Sequence, residues 1–225
     1  SLIDRPSARP AGLTLEQAFA VGDRLRRRRI ARGERPLGYK IGFTNRTLWP
    51  RYGVWAPIWA PVWDRTVTLL EGTEATVSLA GRSQPRIEPE IVFGFARPVQ
   101  AGMDEAALAQ CLAWVAHGFE IVHTHHADWR FSAADTVADF ALHGRLLVGP
   151  RQEPARFGDV AAELAGLELV LSQGGAEVDR GRGANVLDGP LSAVRTWLEA
   201  MARWSPEWRV EAGDLVTTGT ITDAW

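Results

Sequence analysis

The segment at residues 86–95, RIEPEIVFGF, constrains the fold more than any other part of the sequence. It is predicted to be a β-strand, in which residues two apart point to the same side. Glu88 and Glu90 therefore face one side of a sheet, and the isoleucines beside them face the other. Pro89 has no backbone N–H to donate, so the strand is expected at a sheet edge or at a bulge. The chain must build a sheet that carries two neighbouring carboxylates on one face.

The remaining predicted elements mix helices and strands. Thr14 and Gln17 match a capping box that opens a helix, which runs to about Ala31 and ends at Gly33. Further helices are predicted at residues 103–118 and 190–203, strands at 37–44, 66–70, 75–79, 119–122, 167–171 and 213–222, an irregular lid at 48–63 and a Gly-rich connection at 174–189.

Strands outnumber helices and do not alternate with them, which favours an α+β fold over a doubly wound parallel sheet. The length of 225 residues suits one large domain or a domain with a small N-terminal lobe. We expect residues 1–60 to form a small N-terminal helical lobe with the lid segment. Residues 61–225 are expected to form a β-rich, metal-binding catalytic core, unless both parts are one continuous domain.

Charge and composition give no indication of nucleic-acid or membrane binding. The net charge is −2, and the basic run at residues 24–29 lies on a predicted helix with apolar Leu25 and Ile30, as on a solvated helix face. No apolar run approaches the roughly 20 residues of a membrane span. The single Cys111 cannot form an internal disulfide and suits a reducing compartment. We therefore expect a cytoplasmic protein.

Three glutamates are candidate metal ligands. Glu88 and Glu90 repel each other and need either solvent or a cation, and hard ions such as Mg²⁺ and Mn²⁺ prefer oxygen ligands. Taken alone, the pair also fits an exposed edge strand with ordinary surface glutamates. Glu120 lies within the apolar segment 118–122, where a carboxylate is costly to bury unless it is paired or metal-bound. Together the three carboxylates would leave about half of a coordination sphere for substrate and water.

Histidines offer a competing site. His117, His123, His125 and His126 lie close in sequence, but their spacing is not a standard zinc pattern, and structural zinc sites usually recruit cysteine as well. We interpret them as loop histidines near a pocket mouth, with His123 in contact with substrate. The segment 181–183, Gly-Arg-Gly, lacks the glycine fingerprint and lysine of a nucleotide loop.

Lys40 lies between Gly38 and Gly42 and is the only lysine of the chain. Burial can lower the pKa of a lysine, which can then bind a carboxylate or transfer a proton, whereas arginine stays charged. A surface position is the alternative interpretation.

Five stretches carry a resemblance to a known family. They are residues 39–44 (YKIGFT), 86–91 (RIEPEI), 119–122 (FEIV), 134–139 (ADTVAD) and 213–220 (GDLVTTGT). In this order and spacing, the chain resembles the 2-oxopent-4-enoate hydratase and 4-oxalocrotonate decarboxylase family of the fumarylacetoacetate hydrolase superfamily. The resemblance implies a rolled, barrel-like mixed β-sheet with flanking helices and a homo-oligomeric enzyme.

The resemblance also implies a site and a reaction. Mg²⁺ or Mn²⁺ on Glu88, Glu90 and Glu120 would chelate the carboxylate and 2-oxo oxygen of a small 2-oxo acid substrate and stabilise its enolate. Lys40 matches an active-site lysine, for which substrate contact and proton transfer are implied. Asp135 matches a catalytic position and Thr220 a substrate-binding one.

The pocket departs from the family pattern at three positions. Ile58 stands where an acidic residue is usual, and residues 139–142 read Asp-Phe-Ala-Leu in place of Asp-Asn-Ala-Ser. His123 replaces a common aspartate. Relatives continue beyond Trp225, so either a tail is absent from this chain or the barrel edge is incomplete. We expect a hydratase of aromatic-compound catabolism, with 2-oxo diacid decarboxylation, acylpyruvate C–C hydrolysis or a non-catalytic partner subunit as alternatives.

Overall fold

The computed structural model describes residues 2–46 and 49–225. Its α-helices are α1 (Leu15–Ala31), α2 (Trp49–Tyr52), α3 (Glu105–Ala109), α4 (Ala133–Ala138), α5 (Val160–Gly166) and α6 (Pro190–Trp204). Its strands are β1 (Pro36–Gly42), β2 (Ile58–Trp63), β3 (Val67–Leu69), β4 (Arg86–Phe95), β5 (Leu112–Val122), β6 (His143–Val148), β7 (Glu168–Gln173), β8 (Ala176–Arg182) and β9 (Leu215–Thr217).

Both long helices begin where the sequence predicts. Thr14 Oγ1 accepts a hydrogen bond from the Gln17 N–H, and the Gln17 side chain accepts one from the Thr14 N–H, which completes the capping box of α1. Pro190 occupies the first turn of α6, where its missing N–H is not needed. The strand predicted at residues 86–95 is confirmed with the same bounds as β4.

Seven strands form one mixed sheet in the order β2-β1-β9-β4-β5-β6-β3. The β1–β9 and β3–β6 pairs are parallel, and the other neighbours are antiparallel. The sheet is curled into a half-barrel with helices against it, so the predicted α+β fold with a rolled mixed sheet is confirmed. Strands β7 and β8 form a separate two-stranded ribbon.

The two faces of the sheet bury different side chains, as strand periodicity requires. Tyr39 of β1 and Phe93 of β4 pack with Trp197 of α6 in the main core. On the opposite face, Val92 of β4 and Ala116 of β5 belong to a second, smaller apolar cluster. Glu88 and Glu90 share the face of Val92, on the inner side of the curl.

The expectation that Pro89 places β4 at a sheet edge is wrong. β4 lies between β9 and β5, and its only register irregularity follows Gly94. Pro89 is tolerated because β9 pairs only with residues 92–94. The missing N–H of Pro89 would point toward β9 at a position that the β4–β9 pairing does not reach. There the Pro89 carbonyl accepts a hydrogen bond from the Ile221 N–H at 3.0 Å. The edge strands are β2 and β3, and β2 carries its own proline, Pro61.

Four other expectations are corrected. The helix predicted at 103–118 ends at Ala109, because residues 112–122 pair along the whole of β4 as β5. The connection at 174–189 contains β8, since Gly174 and Gly175, both with positive φ, form a tight hairpin turn. The lid at 48–63 ends in the buried strand β2, while Leu48 lies outside the described residues. Residues 75–79 lie largely at the surface and form no strand.

The boundary predicted between residues 60 and 61 falls within β2, and the division into two parts stays a prediction. Residues 1, 47 and 48 of the first part lie outside the described residues. Within the part of the chain that the structure describes, none of the helices is long and apolar enough to cross a membrane.

Candidate metal centre and active-site cavity

Strand pairing brings the three glutamates together. In the antiparallel register of β4 and β5, Glu88 lies directly opposite Glu120, and Glu90 lies two residues further along the same face. One carboxylate oxygen from each of the three residues lies within 4.8 Å of the others. Glu90 and Glu120 are fully buried, and Glu88 is half-buried. Like charges placed opposite each other on neighbouring strands destabilise a sheet unless a cation lies between them.

Lys40 reaches this cluster from β1. Two strands, β9 and β4, separate β1 from β5, so Lys40 spans the inner side of the curled sheet. Its Nζ lies 3.1 Å from Glu120 Oε2 and donates a hydrogen bond to the Ala141 carbonyl at 3.0 Å. Burial disfavours the ammonium, but the carboxylates of Glu120 and Glu88 outweigh burial and raise the pKa of Lys40. Lys40 is therefore a charged residue at the base of the site.

Glu90 is held by the Thr-Thr-Gly-Thr turn that follows β9. Its Oε2 accepts hydrogen bonds from the Thr217 hydroxyl and, at 2.8 Å, from the Gly219 N–H. Gly219 has a φ of +96°, and a Cβ there would lie 2.0 Å from Thr44 Oγ1, so only glycine fits. The other oxygen, Oε1, is buried and accepts no hydrogen bond from the described residues.

The two carboxylate oxygens of Glu120 have different partners. Its Oε1 accepts from His143 Nδ1 at 2.6 Å, while Oε2 faces Lys40. Burial alone would raise the pKa of Glu120, but Lys40 and His143 outweigh burial and lower that pKa. Burial also lowers the pKa of His143, more than the Glu120 carboxylate raises it. Glu120 is thus the carboxylate of the three that is most firmly ionised.

The charges of the cluster fit a divalent cation. Burial, with a smaller opposing effect of Lys40, raises the pKa of Glu88 to about 7. Burial, reinforced by the Glu120 charge, raises the pKa of Glu90 well above its ordinary value. If all three carboxylates were ionised, the single ammonium would leave two negative charges without a counter-charge, and Glu90 Oε1 lacks a hydrogen-bond donor among the described residues. An oxygen-ligated divalent ion would satisfy both.

A cavity of ≈ 620 Å³ opens over this cluster. Glu88, Lys40, Ile58 and Thr220 are among its lining residues. An aromatic wall, which we define as Phe43, Tyr52, Phe131 and Trp129, also lines the cavity. Ring centroids in the wall are 5.0 Å apart for Phe43 and Tyr52, 5.3 Å for Tyr52 and Phe131, and 6.0 Å for Phe131 and Trp129. The cavity therefore joins a charged floor to an apolar side.

Two of the predicted catalytic and substrate-binding residues, Asp135 and His123, lie outside the cavity lining. The Asp135 carboxylate accepts hydrogen bonds from Ser7 and Ser132, and it caps α4. His123 packs edge-on against His125, whose Nδ1 lies 2.9 Å from Asp139. Burial lowers the pKa of His123 to about 4. The structure thus brings Lys40, Thr220 and Glu88 to one cavity, with Glu90 and Glu120 buried beside Glu88, and it places Asp135 and His123 apart from them.

Sequence reasoning missed the residues that orient the glutamates. Thr217 and Gly219 lie within the matched stretch 213–220, from which Thr220 alone was selected. His143 stands beside an apolar segment, where a polar side chain needs a partner. That general signal could have drawn attention to it, but its partner, Glu120, depends on the pairing of β5 with β6.

Known proteins resemble the chain over most of its length, although no protein-family model matches it. A 2-hydroxyhexa-2,4-dienoate hydratase from Comamonas testosteroni is 29% identical over 211 residues, which are 93% of this chain and 77% of the relative. A 2-keto-4-pentenoate hydratase from Paraburkholderia xenovorans (strain LB400) is 30% identical over 210 residues, 93% of this chain and 75% of the relative.

A solved structure is similar to this chain in fold. The 4-oxalocrotonate decarboxylase from Pseudomonas putida G7, complexed with magnesium and adipate, superposes with a TM-score of 0.89 and 26% sequence identity. The match covers 99% of this chain and 82% of that protein. The fumarylacetoacetate hydrolase superfamily fold that the sequence motifs imply is confirmed. A divalent metal in such a fold is consistent with the acidic cluster of this chain.

Proposed function

Because this chain belongs to the family of 2-keto-4-pentenoate hydratases and 4-oxalocrotonate decarboxylases, we propose that it is a metal-dependent hydratase. Its substrate is a small 2-hydroxydienoic acid or the corresponding 2-oxo-enoic acid, formed in the breakdown of aromatic compounds. The observation that carries the proposal is the floor of the cavity, where three carboxylates meet one buried lysine.

Glu88, Glu90 and Glu120 would hold Mg²⁺ or Mn²⁺, since all three offer carboxylate oxygens and, among the residues that the structure describes, no softer ligand belongs to the cluster. A bound ion would supply Lewis-acid polarisation of the 2-oxo acid. Glu88 retains some exposure and lines the cavity, so the open side of the site is the side from which substrate arrives.

Lys40 holds a proton at Nζ within the same cavity. Its ion pair with Glu120 and its bond to the Ala141 carbonyl fix that proton-bearing atom against the floor. We assign Lys40 to contact with the substrate and to proton transfer along the conjugated chain.

The Thr220 hydroxyl donates to the Thr222 carbonyl at 3.0 Å, which leaves its oxygen able to accept a hydrogen bond from substrate or water. We also expect the chain to form a homo-oligomer.

The test is a spectrophotometric assay with a 2-hydroxydienoate. Purified protein loaded with Mg²⁺ or Mn²⁺ should convert the substrate, so that the absorbance of the diene decreases. Both EDTA and Glu88→Gln should abolish turnover. Glu177→Gln, a surface change on β8, is the matched control and should behave like wild type. Turnover that is indifferent to EDTA and to Glu88→Gln would refute the metal centre.

Decarboxylation of a 2-oxo diacid is the second candidate. Arg86 lines the cavity, its guanidinium carbon lies 4.4 Å from the centre of the Trp129 ring, and it could pair with a second carboxylate. The solved 4-oxalocrotonate decarboxylase, complexed with adipate, is similar in fold over nearly the whole chain. Release of carbon dioxide from a 2-oxo diacid, lost in Arg86→Gln while hydration of a monoacid is retained, would favour this reaction over hydration.

A further inference from the structure

His143 is a buried side chain that connects the carboxylate cluster to the turn before β3. It is the first residue of β6, and its side chain is 2% exposed. Nδ1 lies 2.6 Å from Glu120 Oε1, and Nε2 lies 2.8 Å from Thr66 Oγ1. Both ring nitrogens are therefore engaged, one with a proposed metal ligand and one with a hydroxyl.

The direction of the hydrogen bond between His143 and Glu120 follows from the two groups involved. A carboxylate only accepts, so Nδ1 of His143 carries the proton that is donated to Glu120. Nε2 forms a separate hydrogen bond with the Thr66 hydroxyl. Thr66 Oγ1 also accepts from the Trp63 N–H at 3.1 Å and lies 3.2 Å from the Trp63 carbonyl, to which its hydroxyl can donate. The backbone of Trp63 thus holds Thr66 in place, and Thr66 holds the imidazole of His143 beside Glu120.

This chain of hydrogen bonds divides the two oxygens of Glu120 between different partners. Oε1 is taken by His143, and Oε2 lies toward Lys40. Glu90 is held in a comparable way by Thr217 and Gly219. By contrast, no hydrogen bond among the described residues fixes the Glu88 carboxylate. The two fully buried ligands are therefore oriented by neighbouring groups before any cation binds.

We propose that His143 is a positioning residue that orients Glu120 for binding a divalent cation, and that Thr66 holds the imidazole ring in place through its other nitrogen. The inference rests on the proposed function, because the cation is the ligand that Glu120 is oriented to receive. Groups that orient metal ligands typically change metal affinity by about 10–100-fold when they are removed. The role lies in the Nδ1–H donor and not merely in the volume of the ring.

The experiment measures Mn²⁺ affinity by titration calorimetry on the full chain. His143→Ala should weaken Mn²⁺ binding by about 10–100-fold. Asparagine places an amide nitrogen close to the position of Nδ1, so His143→Asn should restore affinity to within a few-fold of wild type. Glutamine reaches toward Nε2 instead, so His143→Gln should bind as weakly as alanine. Thr66→Val should give an intermediate loss, because Nε2 loses its hydrogen-bond partner.

His126→Ala is the matched control, since His126 is equally buried and forms no bond to the cluster. Its Mn²⁺ affinity should equal that of wild type. Wild-type affinity in His143→Ala would overturn the inference and leave the metal centre standing. Equal losses in His143→Asn and His143→Gln would also overturn it, and this pair decides the question if the alanine variant does not fold. Wild-type protein that binds no Mn²⁺ would instead refute the proposed function.

Discussion

The floor and the aromatic wall of the cavity are built by different means. The floor consists of Lys40, Glu88, Glu90 and Glu120, which all lie on strands. Neighbouring groups bind polar atoms of Lys40, Glu90 and Glu120. The wall comes from connecting segments and the short helix α2, and two of its members, Phe43 and Trp129, have positive φ angles of 54° and 55°. The comparison suggests that reaction chemistry and substrate choice depend on separate parts of this molecule.

Energetics explain why the floor is the more constrained of the two. A buried charge that loses its partner costs several kcal/mol, so each floor residue depends on the others. An aromatic pair contributes only about 0.5–1.5 kcal/mol beyond its buried area, and apolar residues can replace one another in a wall. We therefore expect changes in the floor to affect rate and metal binding, and changes in the wall to affect substrate preference.

The largest effect is expected from Glu120→Gln. The change keeps the shape of the side chain, but it removes the negative charge that pairs with Lys40 and accepts from His143. Loss of several kcal/mol of electrostatic stabilisation lowers kcat by at least about a thousandfold. Steady-state kinetics at saturating Mg²⁺ measure it, with Glu177→Gln as control. A variant that keeps a tenth of the wild-type rate would show that the reaction does not need the charge of Glu120.

Lys40→Met is expected to have the second largest effect. Loss of a positioned proton donor lowers kcat by about a hundredfold or more. It also leaves Glu120 without its ammonium partner, which destabilises the metal-free protein by about 3–5 kcal/mol. Added Mg²⁺ should recover part of the melting temperature by supplying the missing charge. Lys40→Arg keeps the charge, and a wild-type rate in that variant would contradict a role in proton transfer.

Thr217→Val is expected to have a smaller effect. The change preserves shape and removes one of the two donors to Glu90 Oε2, while the Gly219 N–H remains. Mn²⁺ affinity should fall about tenfold. Thr218→Val is the control, because its buried hydroxyl donates to the Ile91 carbonyl and not to the cluster. Equal losses in both variants would indicate a general packing effect.

The floor is also the part that the sequence predicts best. Strand periodicity places Glu88 and Glu90 on one face, and the apolar surroundings of Glu120 indicate that it needs a partner. The helix predicted at residues 103–118 hid the length of β5, because local helical spacing cannot show a partner strand whose paired residues lie 17 to 36 positions away. The orienting role of His143 depends on another such pairing, that of β5 with β6.

Loop residues are harder to predict because their positions depend on neighbours that are distant in sequence. Gly219 must be glycine because Thr44 lies where its Cβ would be. Asp135 and His123 lie within or next to matched stretches, but their neighbours Ser132 and His125 turn them toward local contacts. The wall residues show no periodic pattern, and only the packed structure places their rings together.

Phe131→Ala should have the smallest effect on rate and should show whether floor and wall act separately. The Phe131 ring lies between Tyr52 and Trp129, with centroids 5.3 Å and 6.0 Å away, and its removal takes apolar surface from the cavity side. For a 2-hydroxydienoate with an apolar distal group, losing roughly 1 kcal/mol of contact raises KM about fivefold. The unsubstituted dienoate should show nearly unchanged kcat and KM.

Phe157→Ala, which shortens a partly buried phenylalanine outside the cavity lining, controls for general loosening of the core. If Phe131→Ala lowers kcat a hundredfold for both substrates, the wall takes part in the chemistry, and its separation from the floor does not hold.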